Sequence, residues 1–536
     1  MFLSLRLGLL ASFTCLAQSG IPISDPTVIA KCGACHKSNA QGIMARVSVA
    51  RSTPEGWQNV LKQMVLRHDM EVTPEEARAI VRYLSSAQGL APEEAKPLMY
   101  GIERRIRDEQ TMGTPALVRE CGRCHTLAST MSWRRPARDW QEIANTHAAQ
   151  YKIRATPEAL AELSKKTELE TPEWKEWTSK PRTPQVTGRW LIRANVPGRG
   201  PYVGELAVTP SGNPDEFNTR AVMKSVRDGS IMQRTGRAAV YTGYAWRGRS
   251  KGSAPAASAD DPAAEVREVM WIAPDQSKAE GRWYWGQYQE FGFDVQLQRP
   301  TEQPTILQTE PAAIKTGTET TRVRILGDHF PTTLKPTDLN FGAGVTVKSI
   351  ASQSANEVVV DIAVAADAPF GKREVTLATA RVPFTIYDRI DYIRVTPESA
   401  LAAFSDSARP RGYEQFEAVG IHRGPDGREH TPDDLELNPV DVNWSFELFY
   451  AAEKANLDVL GKLSPGGLFT PAVQSTNNNY DVWVIATAKT EKEPGGEAMV
   501  GKSYLVLTVP MYTLNGRRYI RDLDRWVDDG PVKENQ

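Results

Sequence analysis

Up to about residue 180 the apolar side chains recur every three to four positions; beyond it they alternate with polar ones. The first period belongs to helices resting on a core, the second to half-buried strands. Trp57, Leu61 and Met64 fall on one helix face, and Trp140, Ala144 and His147 on another. Thr73-Pro74-Glu75-Glu76 and Thr156-Pro157-Glu158 read as helix starts: threonine caps, proline opens the helix, acids fill its first turn. The stretches repeat. Laying Trp57 on Trp140 also lays Pro74 on Pro157, and with no gap between them Met64 falls on His147.

The alternating part predicts strands at Gly188–Arg193, Tyr202–Val208, Ala239–Trp246, Val269–Ala273, Gly281–Gly286 and Phe293–Leu297. Hairpin-linked strands rich in Trp, Tyr and Gly predict a closed antiparallel β-barrel, lipocalin-like in outline. Barrels of this size fill their interiors with side chains, so its aromatics are expected to be core before they are a ligand cavity. Ser250–Pro262, rich in Ala, Ser and Asp, reads as a mobile loop. Two blocks of short strands follow. Thr321–Ile325, Val345–Val347, Val358–Val360 and Val375–Leu377 mark one; Trp444–Leu448, Val482–Ala486 and Tyr504–Leu507 mark the other, which runs to about Tyr512. Both read as immunoglobulin-like β-sandwiches.

At 536 residues several domains are expected. The reading is a signal segment over 1–20, helical modules over 21–100 and 101–178, the barrel over 179–300, and sandwiches over 301–387 and 388–536, the last with a C-terminal tail. The hydrophobic share of 40% and charged share of 24% exclude wholesale disorder. A formal charge of −1 offers no broad lure for nucleic acid or anionic lipid. The apolar run from Leu7 to Ala17 behind Arg6 is too short to span a bilayer and fits a secretory signal, which places the mature chain in the periplasm.

Cys15 lies inside that signal, leaving Cys32, Cys35, Cys121 and Cys124. They form Cys32-Gly33-Ala34-Cys35-His36 and Cys121-Gly122-Arg123-Cys124-His125, two copies of the CxxCH signal for c-type haem. Two thiols three positions apart reach the two vinyl groups of one macrocycle, and the following histidine supplies the proximal ligand. A four-thiolate zinc site leaves both histidines without a role. A redox dithiol wants a βαβ setting that the helical flanks lack.

The far side of each iron takes Met or His. The repeat nominates Met64 for the first haem and His147 for the second, giving His36/Met64 and His125/His147. His68, one turn beyond Met64, is a rival for the first site, as are Met44, Met70, Met99 and Met112; the counterpart of His68 is Tyr151. A thioether ligand raises the potential and a second imidazole lowers it, so electrons are expected to enter at the bis-histidine site. His329, His422 and His430 read as ordinary surface residues. The β-domains show no phosphate loop, metal constellation or nucleophile with a matched base.

Each CxxCH site with its later distal ligand resembles a class I cytochrome c module. CGACH, CGRCH, the two Trp-led helices and the order of helical modules, barrel and sandwiches resemble the α subunit of quinohemoprotein amine dehydrogenase. That resemblance implies a dihaem electron-transfer subunit with two covalent haem c groups and no bond-breaking site of its own. It also implies a β-propeller subunit, a small subunit bearing cysteine tryptophylquinone, and oxidation of primary amines to aldehyde and ammonia. A soluble periplasmic copper protein or cytochrome would accept the electrons. Two alternatives stay open: a free-standing dihaem cytochrome or haem subunit of another oxidoreductase, and a non-redox secreted binding protein.

Overall fold

The structure is a computed structural model describing residues 20–510 apart from 106, 408, 451–456 and 474–477. The signal segment with Cys15, and the chain beyond Pro510 with Tyr512 and the tail, lie outside the described residues. Two compact units result. One is helical, running to Gly101 and resuming after residue 106 to Lys180; the other takes Ile102–Arg105 and the described chain from Pro181.

The helical unit is built twice to one plan. A seven-residue helix ends on the first cysteine of each motif, Pro26–Cys32 and Pro115–Cys121. Asp25 caps one through the Val28 amide and Thr114 the other through the Leu117 amide, each just before a proline that opens the helix. The tryptophan helices, Pro54–His68 and Ala137–Tyr151, are both fifteen residues long, and each ends on a left-handed residue, Asp69 or Lys152. The closing helices are Pro74–Ala87 and Pro157–Lys166. Thr73 and Glu76 form a reciprocal capping box, and Thr156 caps the Ala159 amide. The Thr-Pro-Glu starts stand where the sequence put them.

The two halves meet along Arg51 and Arg134, which exchange backbone hydrogen bonds of 3.0 and 2.9 Å. Both side chains are buried and share the Glu94 carboxylate: Arg51 grips it with two nitrogens at 2.8 and 2.9 Å, Arg134 with one at 3.1 Å. Thr171 Oγ1 and the Ala91 amide complete the ring of donors at 2.8 Å each. The Arg51 guanidinium also lies 4.7 Å above Trp174. Burial alone would push the Glu94 pKa up, but the hydrogen bond and charge of Arg51, with the Arg134 charge, outweigh it and hold the pKa at about 2.

In the second unit eight antiparallel strands close a barrel: β1 (Gly188–Val196), β2 (Gly200–Pro210), β3 (Glu216–Ser225), β4 (Ile231–Tyr241), β5 (Ala245–Gly252), β6 (Val266–Ile272), β7 (Lys278–Trp285) and β8 (Phe291–Gln298), with β8 paired to β1. The expected single strand Ala239–Trp246 is two. Thr242 and Gly243 take positive φ and turn β4 into β5, while Val240 and Trp246 keep the apolar alternation running through the turn. β3 was not read from the sequence. Trp190, Trp246, Trp283 and Phe293 are fully buried. The loop after Ser250 is exposed along most of its length and anchored at its far end, where buried Arg234 donates to the Pro262 and Ala264 carbonyls and Trp285 Nε1 to Ala259 O.

Residues 305–387 form two four-stranded sheets sharing one apolar core, with Val323, Ile325, Val358, Val360 and Ile362 from one sheet facing Val375, Phe384 and Ile386 from the other. From Tyr392 to Thr508 a four-stranded and two three-stranded sheets enclose a second core around Phe404, Phe416, Phe469 and Val484. The surface reading of His422 is corrected here. It is 1% exposed, accepts the Gly424 amide at Nδ1 and donates from Nε2 to Asp388 at 2.9 Å. Among the described residues no helix is long and apolar enough to cross a membrane.

Candidate haem sites

Each CxxCH motif straddles a helix end rather than lying within a helix. After Cys32 the chain continues as a turn, with the Gly33 amide bonded to Ile29 O and the His36 amide to Cys32 O at 2.8 Å. Glycine is required at the first intervening position. A Cβ there would stand 2.4 Å from Ile29 O in the first motif and 2.7 Å from Val118 O in the second. The four thiols are free, with Cys35 and Cys124 exposed and Cys32 and Cys121 half-buried. Burial pushes the Cys32 thiol pKa up, helped by Cys35; burial does the same at Cys121, helped by Glu120 and Glu162. These are not the electropositive surroundings that create a redox thiolate. Among the described residues no three His, Cys, Asp or Glu side chains converge as a metal site, so the two CxxC pairs do not meet.

The second set is gathered in one place. Cys121, Cys124, His125 and His147 line a single cavity of about 270 Å³ that opens to solvent. Trp133, Trp140, Ile143, Leu160 and Leu163 supply apolar wall. Glu109, missed by the sequence reading, holds the chain just past the motif: its carboxylate accepts the Leu127 amide at 2.7 Å and the Tyr100 hydroxyl at 2.5 Å. Leu117, Val118, Leu127, Trp140 and Leu163 form the core behind the cavity.

The imidazoles share one feature. Nδ1 of His36 is 3.1 Å from Ala45 O, Nδ1 of His125 is 3.3 Å from Thr126 O, and Nδ1 of His147 is 2.9 Å from Ile143 O. In each ring a backbone carbonyl takes the Nδ1 proton, which leaves Nε2 as the lone-pair nitrogen. Tyr151 lies against His147 with ring centroids 5.6 Å apart.

In the first half, Trp57 and Leu61 are buried and Met64 is half-buried on the same helix, while His68 is exposed at its end. That helix packs on Pro74–Ala87, which also packs on the first motif helix. Of the rival methionines, Met44 and Met99 are buried, and the Met112 sulfur lies 3.0 Å from the Tyr100 hydroxyl. Arg51, Arg134 and Glu94 were missed because three charged residues far apart in sequence look like surface. The signal at hand was the repeat, which lays Arg51 on Arg134.

A helical unit with paired CxxCH motifs, followed along the chain by an eight-stranded barrel, defines a multidomain haem-binding protein. Four family models agree and together take in most of the chain: the haem-binding domain of the α subunit of quinohemoprotein amine dehydrogenase at residues 23–162, and its domains II at 183–300, III at 303–388 and IV at 393–516. The chain belongs to this family. It is the haem-binding α subunit of an amine dehydrogenase complex, an oxidoreductase with other subunits. None of the curated proteins matches it. Among solved structures, a de novo designed fluorescence-activating β-barrel is 19% identical, over 23% of this chain and 100% of that one, with a TM-score of 0.18. Domains 4–9 of surface layer protein SbsC are 12% identical over 56% of this chain and 47% of that one, at 0.14. The I9–I11 tandem of titin is 10% identical over 59% and 92%, at 0.12. Likenesses this slight carry no argument.

Proposed function

We propose that the chain is the dihaem electron-transfer subunit of a periplasmic quinohemoprotein amine dehydrogenase. Electrons come from a cysteine tryptophylquinone on a small partner subunit, held beside a β-propeller subunit, where primary amines are oxidised to aldehyde and ammonia. They leave to a soluble copper protein or cytochrome. The supporting observation is the single cavity lined by Cys121, Cys124, His125 and His147. A haem c bound there supplies a one-electron carrier. The cysteines tether it and His125 and His147 present Nε2 to it. Ile143, Leu160 and Leu163 keep water from its face. The repeat extends the assignment to Cys32, Cys35, His36 and Met64. On this reading the helical unit is a pair of class I cytochrome c modules over 21–100 and 101–178, behind a cleaved signal at 1–20. The barrel covers 179–300, and the blocks 301–387 and 388–536 are immunoglobulin-like.

Mass spectrometry of a tryptic digest of the mature protein tests this directly. Both CxxCH peptides should carry the added mass of one haem, and bare peptides overturn the reading. Purification of the native complex should yield a propeller chain and a small quinone-bearing chain, and adding a primary amine should reduce the haem bands.

A further inference from the structure

The cavity of the second half is lined by two donors that find no acceptor among the described residues. Trp140 is 4% exposed and lines the cavity, yet its Nε1 is buried without a hydrogen-bond partner among the described residues. Arg135 lines the same cavity, and its buried Nε is likewise without a partner. A buried donor left unpaired is costly, more so when charged, so two at one cavity point to an acceptor that completes them. The Arg135 guanidinium is pinned 4.4 Å above the Trp133 ring, another wall of the cavity. In the first half the equivalent tryptophan is tied off: Trp57 Nε1 donates to Gln88 O at 3.2 Å.

We propose that Arg135 and Trp140 form an anion anchor that receives the propionate carboxylates of the haem in the second module, which fixes the edge of the macrocycle that faces Trp133. The inference rests on the reading that this module takes a haem, and adds the direction in which the group is seated. The chemistry fits an acid group. Burial depresses the Arg135 pKa, opposed only by the nearby Asp139 carboxylate, and a carboxylate in the cavity would restore the balance. Glu120 also lines the cavity, but its oxygens already serve the Thr156 amide and Arg119.

The test is redox titration of both haems in the full mature chain between pH 5 and 9, for the wild type, Trp140→Phe, Arg135→Met and Arg135→Lys. With the anchor intact, the midpoint of the second haem is flat across neutral pH, because the propionates stay ionised. In Arg135→Met and Trp140→Phe it falls, since uncompensated negative charge favours ferric iron, and it acquires a pH slope near neutrality. Arg135→Lys recovers most of the loss, and the first haem does not move. A second haem that keeps its wild-type midpoint and pH profile in both variants overturns the proposal. A second measurement needs no variant beyond one for assignment. With tryptophans labelled at the indole nitrogen, the Trp140 N–H signal in the wild-type holoprotein should exchange with solvent more slowly than an exposed indole; exchange as fast as an exposed indole also overturns it. Failure of the parent reading looks different, because the Cys121–Cys124 peptide then lacks haem mass altogether.

Discussion

The two halves of the helical unit share helix lengths, caps and turn residues, yet their polar groups are spent differently. In the first half Trp57 donates to Gln88 O, and Ser52, which the repeat lays on Arg135, donates its hydroxyl to Ser132 O. In the second, Trp140 and the Nε of Arg135 are left open at a cavity wall, and a histidine stands where the first half has a methionine. A repeated backbone fixes where groups sit, while the choice of a few polar side chains decides whether a position holds the fold or holds a ligand.

Removing one set of attachment thiols should separate the two halves most sharply. Replacing Cys121 and Cys124 by serine should leave one haem per chain, bound only to the first motif, as counted by pyridine haemochrome and intact mass. Loss of both haems would show that the halves do not load independently. Exchanging the distal residues sharpens it. Met64→His should lower the first haem's midpoint and His147→Met raise the second's, each by on the order of a few tenths of a volt, within the roughly 0.8 V that axial ligands span. His68→Ala should leave the first midpoint where it was.

Glu94→Gln tests what the halves have in common. Breaking a buried charge network costs about 3–5 kcal/mol, read by chemical denaturation of the helical unit. The pH dependence has a definite sign. The Glu94 pKa is held at about 2, below its ordinary 4.5, so its contribution is complete above about pH 4.5 and is lost as pH falls towards 2. The Gln variant should lose that acid-side slope. The smallest effect belongs to the caps. Thr53 caps the first tryptophan helix through the Gly56 amide, whereas Pro136 gives the second no side-chain cap. Thr53→Ala should therefore cost about 1 kcal/mol in the same denaturation assay.

The sequence was most readable where spacing itself carries chemistry. CxxCH is a fixed arrangement of three side chains, and the Trp-to-Met and Trp-to-His intervals survive as matching helices. Strands were legible where apolar alternation or a β-branched run was strong, as at Phe293–Leu297 in the barrel and Val358–Val360 in the sheets that follow it. β3 escaped because its inward positions, Phe217, Thr219, Ala221 and Met223, mix small and polar residues with apolar ones. The turn between β4 and β5 escaped because apolar side chains continue across it. Arg51, Arg134 and His422 escaped for a shared reason: a buried polar group is defined by partners distant in sequence, and His422 finds its partner 34 positions away.

Arg51 and Arg134 pair around Glu94. A single acid serves two cations, one from each half, so neither half is self-sufficient. A gene fragment encoding the second module alone would strand the Arg134 guanidinium away from its acid, one encoding the first alone would strip Glu94 of Arg134 and Thr171, and the shortest fragment fit for expression spans both.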